Sequence, residues 1–85
     1  MIKHRLSIRA NNQSTLLERL LQVTRYRGYQ VLELQVEHQA DADELVINLQ
    51  VGKPAHLAAD SINGIQHLYH QLNKLFDVKH VNLAA

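Results

Sequence analysis

This sequence predicts a two-layer α+β sandwich: a four-stranded antiparallel sheet with two helices on one face. Three observations lead there. Stretches of two-residue alternation are interrupted by two stretches with three- and four-residue apolar spacing, the order reads β-α-β-β-α-β, and each helical stretch is apolar along one stripe only. Right-handed crossovers then put both helices on the same side of the sheet and leave its other side uncovered.

From Ile2 to Ala10, His4, Leu6, Ile8 and Ala10 alternate with Lys3, Arg5, Ser7 and Arg9, the period of a half-buried strand. Asn11 to Ser14 is a polar turn, and Thr15-x-x-Glu18 has the spacing of a capping box, which predicts a helix start there. Leu16, Leu17, Leu20, Leu21, Val23 and Thr24 form its apolar stripe, and Gly28, behind Arg25 and Arg27, predicts its end near Arg27. Leu32, Leu34 and Val36 alternate with Glu33, Gln35 and Glu37 in a second strand, and Gln39 to Asp43 is a connection of hairpin length.

The third strand sets Leu45, Ile47, Leu49 and Val51 against Val46, Asn48 and Gln50, until Gly52-Lys53-Pro54 interrupts it. Ala55 to Asp60 fits a loop or a short helical turn. Ser61 is a cap candidate for a second helix whose stripe is Ile62, Ile65, Leu68, Tyr69, Leu72, Leu75 and Phe76. Val81 and Leu83 alternate with His80 and Asn82 in a short last strand. This is the ferredoxin-like plan, in one domain spanning residues 1–85.

Composition closes several functions. Without cysteine there are no disulfides, thiolate nucleophiles, iron–sulfur clusters or CxxC metal sites. A formal charge of +1 is too small to draw nucleic acid or an anionic membrane by long-range attraction. No apolar run approaches the roughly 20 residues of a membrane span, and Met1 to Arg5 has no apolar segment of a secretory leader behind it, which predicts a cytoplasmic chain.

The plan serves many functions, so each is tested at its site. RNA binders stack bases on aromatics of the uncovered sheet face, and neither Lys3, Arg5, Ser7 and Arg9 nor Val46, Asn48 and Gln50 include one. A phosphatase of this plan needs a glycine-rich phosphate cradle after the first strand, and Asn11 to Ser14 contains no glycine. No spacing suggests a catalytic triad or carboxylate pair, so no catalytic residues are assigned. His67 and His70, at i and i+3, share a helix face but lack the further ligands zinc requires, and no metal site is assigned. His4 and His38 fit hydrogen-bonded rim positions, and Tyr26, Tyr29, Tyr69 and Phe76 fit the core or its edge.

The runs Leu17 to Tyr29 (LERLLQVTRYRGY) and Gln71 to Val81 (QLNKLFDVKHV) resemble the small regulatory subunits of acetolactate synthase (acetohydroxyacid synthase), isozyme II type, which are ACT domains. The resemblance spans almost the whole chain, although Gly52 to Asp60 is longer than that family's pattern. It implies a partner, the large subunit that condenses pyruvate with pyruvate or 2-oxobutyrate in valine, leucine and isoleucine biosynthesis. Thiamine diphosphate, magnesium and FAD are then expected on that subunit and no cofactor on this one. It also implies a homodimer through edge strands, with Tyr29, Val31, Glu33, Gln35 and Glu37 at the seam.

By the same resemblance an effector amino acid would sit between the loop after the first strand of one copy and the second strand of the other, at Asn12, Ser14, Thr15, Leu16 and Gln30. Valine-sensing members carry an asparagine, a glycine at the helix start and a second asparagine after the R-G-Y turn. Asn12 matches the first, but Thr15 replaces the glycine and Gln30 the second asparagine. A β-branched side chain crowds a carboxylate approaching the helix N-terminus, which predicts weak or absent valine feedback. The alternatives are a free-standing amino-acid-binding ACT domain that controls another enzyme or a transcription factor, and a structural adaptor. The surface for a catalytic partner is either the uncovered sheet face, where Arg5 and Arg9 stand across from the acidic second strand, or the helix flanks.

Overall fold

The computed structural model describes residues 1–57 and 61–84, with the side chains of Ser61, Ile62 and Ala84 outside the description. Its elements are β1 (Ile2–Asn11), α1 (Leu16–Tyr26), β2 (Gln30–Gln39), β3 (Glu44–Lys53), a 3-10 turn (Ala55–Leu57), α2 (Ser61–Asn73) and β4 (Val78–Ala84). The sheet order is β2-β3-β1-β4 with every neighbouring pair antiparallel, as the ferredoxin-like plan requires. Of the segment from Ala55 to Asp60, residues 55–57 form a helical turn and Ala58 to Asp60 lie outside the described residues.

The period-two pattern becomes two faces. Leu6, Ile8 and Ala10 of β1 and Leu45, Ile47, Leu49 and Val51 of β3 are buried against Leu16 and Leu20 of α1 and Ile65, Leu68 and Leu72 of α2. Fully burying one such side chain stabilises the fold by about 1.5 to 3 kcal/mol, so this shared layer is what makes two single-sided helices and a sheet mutually necessary. The buried Thr24 is tolerated because its hydroxyl donates to the Leu20 carbonyl at 2.8 Å.

The ends of α1 show local chemistry both failing and succeeding. The capping box does not form. Thr15 already has helical backbone angles, φ −98° and ψ 0°, and makes no side-chain cap bond; a capping hydroxyl reaches the free N–H groups from an extended conformation. The Leu16 N–H instead bonds the Gln13 carbonyl at 3.2 Å. At the other end Gly28 has φ +84°, and the N–H groups of Gly28 and Tyr29 bond the carbonyls of Arg25 and Thr24, the paired closure of a Schellman motif. Two further expectations are corrected. β3 runs through Gly52 to Lys53, the glycine marking a close approach of Met1 and Leu32 side chains rather than a break. Tyr26 and Phe76, placed in the core or its edge by spacing, are 87% and 92% exposed. Tyr26 is the last residue of α1, and Phe76 lies beyond the end of α2, where helical phase no longer applies.

Tyr29 caps one end of the core, only 3% exposed. The Lys53 Nζ lies 4.4 Å from its ring centroid, and the His4 ring meets it edge-on at 6.4 Å. Among the described residues neither its hydroxyl nor the buried Nε2 of His4 has a hydrogen-bond partner, against the expectation of a bonded His4. Burial pushes the Tyr29 hydroxyl pKa up, since the charged phenolate loses its hydration. The hydroxyl stands 2.9 Å from where a Cβ on Gly64 would lie, so α2 approaches here only because residue 64 has no side chain.

Gly64→Ala will therefore lower the melting temperature although alanine favours a helix interior by about 1 kcal/mol, because displacing a packed ring costs about 1 to 3 kcal/mol. Tyr29→Phe will raise it, since an unpaired buried hydroxyl costs on the order of 1 to 3 kcal/mol. The double variant will recover most of the loss. Thermal denaturation of the three chains at one protein concentration checks all three outcomes.

Candidate functional site

The helices bury residues of β3, β1 and β4 but leave β2 half-covered. Among the described residues β2 is bonded to β3 on one side and to no strand on the other, so it presents a row of unpaired N–H and C=O groups at the sheet's rim. Its register places Leu34 beside Leu49 and Val36 beside Ile47, on the helix-covered face. Yet Leu34 and Val36 are 36% and 42% exposed, where their neighbours on β3 are buried. Sequence alternation assigned these two to the core; the missing signal was the covering width of the helices.

The seam residues divide. Glu33, Gln35 and Glu37 are exposed on the rim and Val31 is half-buried there, whereas the Tyr29 side chain is buried in the core, the place its spacing also suggested. A bulge between Val31 and Glu33 shifts the pairing, and Leu32 leans over Gly52 beside the Met1 side chain.

The five effector-site residues are not brought together within one chain. Asn12, Ser14, Thr15 and Leu16 follow β1 at the end where Asn11 pairs with Glu44 and Glu44 with Gln39. Gln30 pairs with Gly52 at the opposite end of the sheet, about 30 Å away for nine strand steps. Leu16, moreover, is buried in the core, so any role at a ligand falls to its backbone rather than its side chain.

Asn12 is engaged inside its own chain. Its side-chain amide donates to Asp43 Oδ1 at 3.1 Å, its backbone N–H donates to the Asp43 carbonyl at 3.1 Å, and His38 Nε2 lies 3.0 Å from the same Oδ1. Asp43, at φ +49° in the β2–β3 hairpin, is thus the hub of a knot that ties the β1–α1 loop to the tip of the rim strand. The His38 bond first and the Asn12 bond second hold the Asp43 carboxyl below its ordinary pKa. His38 is the hydrogen-bonded rim residue its position suggested. At the same end Lys79 pairs with Glu44.

Among the described residues no three histidine or acidic side chains gather closely enough to hold a metal ion, and no helix is long and apolar enough to cross a membrane. His67 and His70 are exposed on α2.

Residues 12–81 match the family profile of the ACT domain. The acetolactate synthase isozyme 2 small subunits of Escherichia coli K12 and Shigella flexneri are each 35% identical over 81 residues, covering 95% of this chain and 84% of theirs. The crystal structure of the ACT domain of Chlorobium tepidum GTP pyrophosphokinase superposes with TM-score 0.76 at 12% identity, covering 98% of this chain and 97% of that one. The acetolactate synthase small subunit of Thermotoga maritima superposes with TM-score 0.71 at 14% identity, over 98% of this chain and 47% of that one. At such identities these two structures speak for the fold.

A depressed carboxyl pKa stabilises the folded arrangement above the ordinary aspartate value of about 3.9, and this contribution is lost as pH falls through the lowered value. Replacing either partner, in His38→Ala or Asn12→Ala, will return the Asp43 pKa toward about 3.9. An NMR titration of the Asp43 carboxyl carbon will show the rise, larger for His38→Ala.

Proposed function

This chain belongs to the ACT-domain family and, within it, to the small subunits of acetolactate synthase, and from that membership we propose that it pairs with a second copy through β2 and stimulates the thiamine-diphosphate-dependent large subunit. It does no chemistry of its own; its role is regulatory, in the biosynthesis of valine, leucine and isoleucine in the cytoplasm. The observation that carries the reading is the 35% identity along 95% of the chain to isozyme 2 small subunits. Thiamine diphosphate, magnesium and FAD reside on the large subunit in this reading.

The rim of the sheet supports the homodimer. A second β2 running antiparallel satisfies the unpaired backbone groups and covers Leu34 and Val36 with their own symmetry mates. It also solves the separation noted above, because antiparallel pairing brings Gln30 of one copy to the Gln39 end of the other, beside the loop of Asn12 to Thr15. An effector site therefore exists only between copies. In this chain it is poorly equipped: the Asn12 amide is bonded to Asp43, Thr15 places a branched side chain at the start of α1, and Leu16 points into the core. Valine feedback is accordingly weak or absent.

A subunit without catalytic groups raises a partner's turnover by binding the active conformation more tightly than the inactive one. Adding the purified chain to the acetolactate synthase large subunit will raise acetolactate formation from pyruvate in a saturable way; a large subunit indifferent to it overturns the reading. Leu34→Lys and Val36→Lys will each weaken the homodimer by about ten-fold or more in sedimentation equilibrium, since each places a charge on apolar area that pairing buries. Calorimetry will detect no micromolar valine binding to the native chain, and Thr15→Gly with Gln30→Asn will introduce it.

A further inference from the structure

The uncovered face of the sheet is a charge pattern laid out in columns. Register aligns Arg5 with Gln50 and Glu33 in one row, Ser7 with Asn48 and Gln35 in the next, and Arg9 with Val46 and Glu37 in the third. A basic column on β1 and an acidic column on β2 are thus separated by an uncharged column on β3, about 9.6 Å apart at two strand spacings. At that distance the columns do not neutralise each other. The two ion pairs among the described residues are His38 with Asp43 and Lys79 with Glu44, neither on this face. Glu33 and Glu37 instead accept hydrogen bonds from Gln35 and Gln39, their neighbours along the strand, at 3.1 and 3.0 Å. The face is also concave, with a groove lined by Arg5, Ser7, Glu33, Gln35, Asn48 and Gln50.

Pairing through β2 doubles this pattern about a two-fold axis perpendicular to the sheet. In any antiparallel register the two acidic columns become neighbours, so the paired face reads basic, neutral, acidic, acidic, neutral, basic between two outer β4 columns of His80 and Asn82. Stacking two such faces about an in-plane axis through the dimer's own two-fold sets acid on acid and base on base. Offsetting the stack to match opposite charges removes closure and generates an open polymer. A phosphate backbone is repelled by the central acidic strip. A different protein surface, basic at its middle and acidic on either side, fits.

We propose that the uncovered face of the paired sheet is the surface that docks on the acetolactate synthase large subunit, with Arg5 and Arg9 reaching carboxylates and Glu33 and Glu37 reaching basic side chains of that subunit. This rests on the dimer and the partner proposed above and deepens them. Unpaired arginines fixed on a strand are suited to such an anchor, because their rigid grid lowers the ordering cost of binding and a guanidinium grips a carboxylate through two bonds. The helix flanks, in contrast, mix Glu18, Arg19, Gln22 and Arg25 without separation into columns.

The experiment titrates wild type, Arg5→Glu with Arg9→Glu, Glu33→Lys with Glu37→Lys, and a helix-flank control, Arg19→Glu with Arg25→Glu, into the large subunit and reads the half-saturating concentration for stimulated acetolactate formation. Both sheet-face doubles will raise it at least about ten-fold while the control stays within about two-fold, and added salt will weaken the wild type toward the sheet-face doubles. Circular dichroism and sedimentation confirm folded dimers. The neutral Arg5→Gln and Arg9→Gln variants, each expected to raise half-saturation several-fold, replace a charge reversal that fails to fold. Sheet-face variants that saturate like wild type, or a ten-fold loss confined to the helix-flank control, overturn the docking surface and leave the partner reading intact. A wild-type chain that stimulates nothing sinks both.

Discussion

Everything distinctive about this chain follows from a mismatch of widths: two helices set over a sheet of four strands bury residues of β3, β1 and β4 and leave β2 half-covered. β1 and β3 lie inside the sheet and bury Leu6, Ile8, Ile47, Leu49 and Val51 against both helices. The rim strand β2 takes what is left, which is half-covered apolar side chains at Leu34 and Val36 and an unpaired hydrogen-bonding edge. Exposed edges of this kind are usually blunted by lysine, proline or a short strand. Here the strand runs the full length from Gln30 to Gln39 without lysine or proline, and its charges, Glu33 and Glu37, and its one bulge, after Val31, leave most of the edge open. An edge left this long suits the pairing proposed for it.

The same economy governs the loop end of the molecule. In one chain Gln30 and the Asn12 to Thr15 loop lie at opposite ends of β2, so the proposed effector site needs the proposed pair. The donor best placed to grip a ligand, the amide of Asn12, is already committed to Asp43, in a knot with His38 that braces the loop against the hairpin. A brace of this type gives the loop a fixed shape without an amino acid present. That fits the proposed role, in which the chain supports its partner without sensing valine.

Regulation without chemistry needs a surface that prefers one state of the partner, and the sheet supplies rigid material for it. Side chains on adjacent strands keep their spacing because ladder hydrogen bonds keep the backbones together, so a pattern of charge on the uncovered face is as fixed as the fold. The helices, which must turn their apolar stripes inward, have less freedom to carry such a pattern. A two-layer sandwich divides its labour in this way: the covered face folds the chain, and the uncovered face is free for the docking proposed for it.

By itself the sequence determined whatever depends on neighbours a few positions away. Alternation located β1, β2 and β3; three- and four-residue spacing located α1 and α2; and Gly28 stopped α1 through a left-handed backbone that other residues adopt at a cost. The resemblance in Leu17 to Tyr29 and Gln71 to Val81 carried the family, because those runs are contiguous. Only the tertiary structure decided which apolar residues stay uncovered. Leu34 and Leu49 obey the same alternation and sit side by side, yet one is exposed and the other buried, since burial is set by what lies above a strand and not by the strand's own period. Phe76 left the core because its helix had ended, Thr15 gave up its capping role because its backbone was already helical, and Asn12 found Asp43 through a hairpin 31 positions along the chain. Contacts of that range are made by folding, and no local pattern encodes them.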